Sequence, residues 1–94
     1  MAEQLKDFDM SEHLRTEEEI QLYLNEILSE GDIDLLLSAL GDIAKARNMS
    51  QIAREVGVTR EGLYKALSGR GNPTFATVFK VMQALNLNLE VKHA

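Results

Sequence analysis

Apolar residues recur at helical spacing in the first strongly patterned segment of the chain. Before it, Thr16 and Glu19 stand three positions apart, which is the spacing of a capping box. Gly31 is placed to end the segment, because glycine readily adopts the left-handed conformation that closes a helix. The spacing therefore predicts an amphipathic helix whose apolar stripe consists of Ile20, Tyr23, Leu24, Ile27 and Leu28.

A second amphipathic helix is predicted to follow at once. Asp32 is placed to cap it, and the cations Lys45 and Arg47 lie near its C-terminus, where they complement the helix dipole. Leu35 points away from the apolar face, so we expect it to pack against the stripe of the first helix. The predicted buried face consists of Ile33, Leu36, Leu37, Leu40 and Ala44.

The stretch Met49–Leu67 contains two short helical patterns separated by a glycine. Ser50 is placed to cap the first and Thr59 to cap the second, while Gly57 provides the positive φ of a sharp turn. Any helical hairpin in a small bundle has caps and a glycine turn, but the combined spacing favours a DNA-binding helix-turn-helix. The predicted inward positions are Ile52, Ala53, Val56, Leu63, Ala66 and Leu67, with Val58 tucked under the turn.

The outward residues of the second short helix have the chemistry that a DNA groove requires. Arg60 is suited to a bidentate pair with guanine, and Lys65 to a base or a phosphate lower on the helix. Tyr64 is suited to a phosphate or a thymine methyl group, and Glu61 either accepts from cytosine or orients Arg60. Gln51, at the start of the preceding helix, is expected to bind a phosphate with the help of the helix N-terminus.

A concentrated turn signal, residues 68–73, comes after this helix. Arg70 and Asn72 lie where a DNA backbone would pass, so we expect phosphate contact for Arg70, whereas a plain connector is an equal alternative for Asn72. Thr74 is then placed to cap a last helix built on Phe75, Val78, Phe79, Met82 and Leu85. The complete predicted DNA-binding set is Ser50, Gln51, Thr59, Arg60, Glu61, Tyr64, Lys65, Arg70 and Asn72.

The last segment, residues 87–92, alternates apolar and polar side chains and predicts a β-strand. A lone strand is not stable by itself, so its natural partner is the same strand of a second subunit. The pattern therefore predicts a two-fold homodimer. The residues predicted to take part in dimerisation are Val81, Leu87, Leu89 and Val91.

Composition argues for one compact domain without special chemistry. The 94 residues include one proline and no cysteine, which excludes disulfides and cysteine metal sites. The apolar run Ile33–Leu40 is too short to span a bilayer, and no secretory leader pattern is found, so we expect a cytoplasmic protein. His13 and His93 stand alone, and Glu17–Glu19 point to different sides of a helix, so we expect no enzyme, cofactor, metal or small-molecule substrate.

Charge is distributed unevenly along the chain. The net charge is −5, but residues 1–34 have eleven carboxylates against two cations, a net of −9, whereas residues 35–94 have eight cations against four carboxylates, a net of +4. An acidic segment joined to a basic helical core suggests two partners of opposite charge. An equal alternative is that the acidic residues only solvate a surface helix.

Three consecutive runs resemble a known family. They are Arg-Glu-Gly-Leu-Tyr-Lys-Ala-Leu (residues 60–67), Gly-Asn-Pro-Thr-Phe-Ala-Thr-Val (71–78) and Val-Met-Gln-Ala-Leu (81–85), and Phe8-Asp9-Met10, the Thr-Glu-Glu-Glu-Ile cap and residues 39–44 agree with them. Over residues 7–91 the chain resembles the addiction-module antidote proteins, HigA-like antitoxins with a phage-repressor (Xre/Cro-type) helix-turn-helix. Asn86 stands where glycine is expected, but asparagine also accepts the left-handed conformation.

The resemblance implies an antitoxin of a type II toxin–antitoxin module. Such a protein would neutralise a basic toxin of the RelE/HigB type and repress its own operon. We expect toxin contact in the acidic N-terminal region, where Phe8, Met10 and Leu14 supply apolar anchors that a solvated tail would not need.

The predicted fold class is all-α: a five-helix, lambda-repressor-like helix-turn-helix domain with an N-terminal helical extension and a short C-terminal β-strand. Residues 1–31 form the acidic extension and its helix, and residues 32–94 form the DNA-binding domain with its dimerisation strand. Two other functions stay open. One is a stand-alone phage-type repressor without a toxin partner, and the other is a protein-binding helical module without affinity for DNA.

Overall fold

The computed structural model describes residues 16–91 and 93. This part of the chain is all-helical, as the sequence predicts. Its helices are α1 (Glu17–Glu30), α2 (Ile33–Arg47), α3 (Met49–Val56), α4 (Arg60–Ala66) and α5 (Phe75–Ala84).

The predicted ends of α1 and the start of α2 are confirmed. Thr16 and Glu19 form a reciprocal capping box, in which the Glu19 amide donates to Thr16 Oγ1 and the Thr16 amide donates to Glu19 Oε1, both at 3.1 Å. Gly31 closes α1 at φ 73°. Asp32 then caps α2 by accepting a hydrogen bond from the Leu35 amide at 3.0 Å. The capping box, the glycine cap and the Asp32 cap together define where α1 ends and α2 begins.

The predicted cap of α3 is wrong by two residues. Asn48, not Ser50, is the N-cap, and its Oδ1 accepts a hydrogen bond from the Gln51 amide at 3.1 Å. The helix begins earlier because Met49 is buried in the core as the first helical residue. Ser50 therefore lies in the first turn, where its side chain is exposed.

The remaining predicted caps of this region are confirmed. Gly57 ends α3 at φ 90°, Thr59 caps α4 and Thr74 caps α5. As a result α3 and α4 are joined by a tight turn of three residues, Gly57 to Thr59. Val58 does not tuck under that turn, because its side chain is exposed at the outer side of the bend.

The core is one cluster to which all five helices contribute. α1 packs against α2, α2 packs against α3, and α3 packs against both α4 and α5. The predicted boundary after residue 31 separates two helices that share this core, and it stays a prediction. The largest fully buried side chains are Ile20, Leu40, Ile43, Leu63, Leu85 and Val81.

Several apolar residues predicted to be inside are exposed. Ile33 is 66% exposed and Phe75 is 69% exposed, and each is the first residue of its helix. Leu28, in the last turn of α1, and Phe79 are exposed as well. The buried face of α2 instead uses Ala39 and Ile43, together with Leu37, Leu40 and Ala44.

The predicted C-terminal strand is not present in the described part of the chain. Asn86 has φ 61°, the left-handed conformation expected for it, and the Leu87 amide donates to the Met82 carbonyl at 2.8 Å. Leu87 is half-buried against the core, and residues 88–91 continue without regular structure. A strand needs a ladder partner, and residues 16–91 supply no second extended segment.

Among residues 16–91 and 93, no helix is both long enough and apolar enough to cross a membrane. The same residues contain no group of three or more His, Cys, Asp or Glu side chains that could hold a metal ion.

Tyr23 is half-buried, and its phenol is a pH-sensitive group of the acidic helix α1. Burial raises its pKa above the ordinary value of 10.0, and the Asp42 carboxylate of α2 raises it further. Because the pKa of the Tyr23 phenol is higher in the folded state than in the unfolded state, the contribution of this phenol to the free energy of unfolding is fully present below pH 10. That contribution is lost as the pH rises through the folded-state pKa.

We expect Tyr23→Phe to reduce the alkaline loss of stability. Thermal unfolding midpoints measured at neutral pH and above the ordinary tyrosine pKa should fall less in this variant than in the wild type. Tyr64→Phe is the matched control, because it removes the other tyrosine from an exposed position. An identical alkaline drop in the wild type and Tyr23→Phe would contradict the effect of burial on Tyr23.

Candidate nucleic-acid interface

The helix α4 has one face in the core and one face in solvent. Leu63 is 0% exposed and Leu67 is buried, so these residues fix the rotation of the helix about its axis. The opposite face consists of exposed polar and aromatic side chains, and Tyr64 is 56% exposed. The exposed residues of this face are Arg60, Glu61, Tyr64 and Lys65, which are the predicted groove residues on α4.

The N-terminus of α4 is held by a cap that constrains its neighbours. Thr59 Oγ1 accepts a hydrogen bond from the Gly62 amide at 2.9 Å. A Cβ atom at Gly62 would lie 3.0 Å from that same oxygen, so glycine permits the close approach. The Thr59 hydroxyl is therefore engaged in capping α4. Arg60 and Glu61 lie in the exposed first turn of that helix.

The start of α3 places two further predicted residues in solvent. Ser50 and Gln51 are both exposed in the first turn of the helix. The Gln51 side chain is engaged, however, because its Nε2 donates to Glu55 Oε2 at 3.2 Å. A phosphate contact by Gln51 would require it to leave this carboxylate.

The loop after α4 folds back onto the C-terminal end of that helix. Ser68 Oγ donates to the Lys65 carbonyl at 2.8 Å, and the Arg70 amide donates to Ser68 Oγ at 3.2 Å. A Cβ atom at Gly71 would lie 2.8 Å from the Lys65 carbonyl oxygen, closer than a real Cβ approaches. The two hydrogen bonds, together with the absence of a side chain on Gly71, hold the backbone of Arg70 beside α4.

Gly69 anchors the same loop to α2. It has φ 84°, a conformation that favours glycine, and a Cβ atom there would lie 2.9 Å from Ser38 Oγ. The loop is therefore fixed on two sides, and it closes one wall of a shallow depression. That depression is lined by Glu61, Tyr64, Lys65, Ser68, Arg70 and Gly71.

The structure thus brings Arg70 together with the exposed face of α4. Lys65 and Arg70 supply two cations to one surface, and Tyr64 lines the same depression. Asn72 is exposed beyond Gly71 in the same loop. Sequence patterns missed the roles of Ser68, Gly69 and Gly71, although two glycines flanking a single arginine were a visible signal of close backbone contact.

The predicted toxin-binding residues Phe8, Met10 and Leu14 lie outside the described residues. Of the predicted dimerisation residues, Leu89 and Val91 are exposed. Val81 is fully buried by its own chain, so its side chain is not available to a second copy. Val81 is therefore not a dimerisation residue, and the homodimer itself stays a prediction.

Charge is segregated among the described residues. Residues 16–34 carry seven carboxylates and no lysine or arginine, whereas residues 62–89 carry three cations and no carboxylate. The seven carboxylates are on exposed residues of α1 and of the start of α2. A polyanion would therefore be repelled by this acidic region and attracted to Lys65 and Arg70, whose depression also contains one carboxylate, Glu61.

Comparison with known proteins identifies one family and one similar protein. A family model described as "probable addiction module antidote protein" matches residues 4–93. A protein of Haemophilus influenzae, described as uncharacterized, is 74% identical over 94 residues, covering 100% of this chain and 97% of the relative. No solved structure matches significantly.

Proposed function

The chain belongs to the family of probable addiction module antidote proteins, and on that premise we propose that it is the antitoxin of a type II toxin–antitoxin module. It neutralises a RelE/HigB-type toxin and represses its own operon in the cytoplasm. An antidote implies a toxin partner and suggests a regulator rather than an enzyme.

The observation that carries the DNA half of this proposal is the exposed polar face of α4. We assign α3, the tight turn Gly57 to Thr59 and α4 to a phage-repressor-type (Xre/Cro-type, lambda-repressor-like) helix-turn-helix. In such a motif the second helix enters the major groove and its N-terminal residues meet the base edges. Arg60 lies at that N-terminus, while Lys65 and Arg70 lie at the other end, beside the loop.

The residues of this face divide into two roles. Arg60 reads guanine through its planar fork of donors, and Glu61 accepts from cytosine or orients Arg60. Phosphate contacts fix register without reading sequence, and these belong to Ser50, Gln51, Thr59, Arg70 and Asn72. Lys65 meets a base or a phosphate, and Tyr64 meets a phosphate or a thymine methyl group. Binding to a palindromic operator requires a homodimer that presents two copies of α4 about 34 Å apart.

We expect Arg60→Ala and Lys65→Ala to weaken DNA binding in different ways. Loss of a bidentate base contact costs about 1–3 kcal/mol and relaxes the preference at one base pair. Loss of a phosphate contact weakens all sequences alike and reduces the salt slope of binding by about one. Fluorescence anisotropy with operator and scrambled duplexes over a salt series separates the two effects.

Lys80→Ala is the matched control, because it removes an exposed cation outside the proposed DNA-binding set. It should leave both affinities within a small factor of the wild type. Equal losses on operator and scrambled DNA for Arg60→Ala and Lys65→Ala would refute the role of Arg60 in base reading.

One observation favours a second candidate function, a stand-alone phage-type repressor. The acidic helix α1 buries Ile20, Leu24 and Ile27 in the core, as a helix that only completes the bundle would do. A neighbouring gene for a basic protein of about 100 residues, the size of one small domain, favours the antitoxin. Failure of this chain to rescue cells from the product of that gene would favour the stand-alone repressor.

A further inference from the structure

The first half of α5 presents two aromatic rings to solvent. Phe75 is 69% exposed and Phe79 is 40% exposed, and their ring centroids lie 6.0 Å apart at an interplanar angle of 29°. They stand one helical turn apart, so they share one face of the helix. We call this pair the Phe face.

The Phe face lies outside the core of its own chain. α5 packs inward through Val81 and Met82, which are buried, and through Val78, which is packed against them. Neither phenylalanine belongs to the core cluster or to the partly buried apolar residues around it. Phe75 is therefore mostly in solvent, whereas Phe79 is partly covered and still presents an exposed side to solvent.

Charge decides which kind of partner suits this face. α5 carries one cation, Lys80, and no carboxylate lies between residues 62 and 89. A basic toxin finds no complementary charge here and is better matched by the seven carboxylates of residues 16–34. A nucleic-acid backbone is better matched by Lys65 and Arg70 than by two stacked rings on a helix whose one cation is Lys80.

A second copy of the same chain fits an almost uncharged aromatic face. A two-fold axis brings a patch onto itself, so an apolar patch is complementary to its own image. We propose, as a deepening of the homodimer in the proposed function, that the Phe face is the surface through which two copies associate. The Phe face replaces the predicted C-terminal strand and the buried Val81 as the proposed dimerisation surface.

The available area predicts a weak dimer. A phenylalanine presents roughly 150–250 Å² when fully exposed, so the two rings offer roughly 200 Å² per copy. Two copies bury roughly 400 Å² at the rings, against about 1,000 Å² in a specific stable interface. Association is therefore weak, and it becomes strong only at high concentration or when adjacent DNA half-sites hold two copies together.

The position of the face suits a symmetric operator. Phe75 follows directly on Thr74 and on the loop that carries Arg70. A two-fold axis at the Phe face therefore places two such loops, each with its own α4, on opposite sides of the axis. This is the arrangement that two half-sites of a palindrome require.

Sedimentation equilibrium of the full chain tests the proposal without DNA. The wild type is measured from about 10 μM to about 1 mM, where a small interface associates. We expect a monomer–dimer equilibrium, and we expect Phe75→Glu and Phe79→Ala each to raise the dissociation constant roughly 30-fold, as loss of an interface hot spot does. Circular dichroism verifies that each variant stays helical, and Phe79→Ala introduces no charge.

Two control variants separate this face from other surfaces. Leu22→Glu replaces a leucine of α1 that is 70% exposed, and Leu89→Lys changes the exposed C-terminal segment. Both variants should dimerise like the wild type. A wild type that stays monomeric over the whole range overturns the proposal. So does dissociation by Leu89→Lys but not by Phe75→Glu.

Operator binding distinguishes failure of this proposal from failure of the proposed function. A dimer that depends on the Phe face but does not prefer operator DNA supports the interface and refutes DNA reading. Cooperative operator binding that survives Phe75→Glu and Phe79→Ala overturns the interface and leaves DNA reading intact.

Discussion

A chain that begins at Thr16 is expected to lose toxin neutralisation and to keep operator binding. The deletion removes the three proposed apolar anchors, Phe8, Met10 and Leu14. Anchors of this kind carry most of the binding energy of an interface, so their loss should abolish rescue. The capping box of Thr16 and Glu19 remains, so α1 keeps its start and the core keeps its residues.

The deletion also separates apolar contact from charge. It removes four carboxylates and two cations, whereas seven carboxylates remain between Glu17 and Asp34. Loss of rescue would therefore be due to the anchors rather than to removal of the acidic region as a whole. Growth on co-expression with the product of the neighbouring gene measures neutralisation, and a gel shift measures operator binding.

The full-length chain with Phe8, Met10 and Leu14 changed to serine is the matched variant, because it keeps the charge and length of the segment. It should fail to rescue as the deletion does. Full rescue by the chain that begins at Thr16 would refute the N-terminal toxin site and would leave the DNA-binding proposal unchanged.

Leu63→Ala is expected to lower the free energy of unfolding by about 2–5 kcal/mol. Leu63 is 0% exposed and is the main inward anchor of α4, so its truncation leaves a cavity between α4 and the core. Small domains have only about 5–15 kcal/mol of stability, so this loss is a large share of the total. Urea denaturation followed by circular dichroism measures it.

Leu22→Ala is the control for this experiment, because Leu22 is an exposed leucine on another helix. It should change the free energy of unfolding by no more than about 0.5 kcal/mol. A Leu63→Ala effect as small as that of Leu22→Ala would mean that α4 is not fixed by its inward leucine, and the exposed face would lose its defined orientation.

Features that depend on neighbouring residues were the most predictable. The capping box at Thr16, the glycine turn at Gly57 and the caps Thr59 and Thr74 each involve hydrogen bonds or dihedral angles within a few residues. These signals are complete in the local sequence, so the order of the helices followed from them. Asn48 was missed because Ser50 offered a similar signal, and burial of Met49 decided between the two.

Burial at helix ends was less predictable. Ile33 and Phe75 have the correct spacing for an inward face, yet each is the first residue of its helix and is exposed. Periodicity gives the direction of a side chain but not the reach of the helices packed around it. The C-terminal strand was wrong for a related reason, because alternation in residues 87–92 does not by itself supply a pairing partner.

The candidate interface was predictable in its residues but not in its assembly. The spacing of α4 identified Arg60, Tyr64 and Lys65 as outward, and they are exposed. The folding of the loop onto the Lys65 carbonyl depends on the path of the backbone at Gly71, which no residue pattern specifies. The pairing of Gln51 with Glu55 likewise depends on side-chain rotamers.

Segregation of charge gives the two proposed activities separate surfaces. The acidic residues 16–34 suit a basic protein, while the cations Lys65 and Arg70 suit DNA. Repulsion between the acidic side and phosphate disfavours binding in the wrong orientation. A chain with net charge −5 can therefore still bind DNA through one face.

The most direct test of the central claim, that the exposed face of α4 reads operator DNA, is an anisotropy titration of the duplex upstream of the gene against a scrambled duplex. We predict that the wild type prefers the upstream duplex by roughly 10³-fold or more and that its affinity falls linearly on a log scale with salt. We also predict that Arg60→Ala lowers this preference roughly 5- to 150-fold, which is the effect of losing about 1–3 kcal/mol. Equal binding of the two duplexes by the wild type, or no binding to either, would contradict the claim.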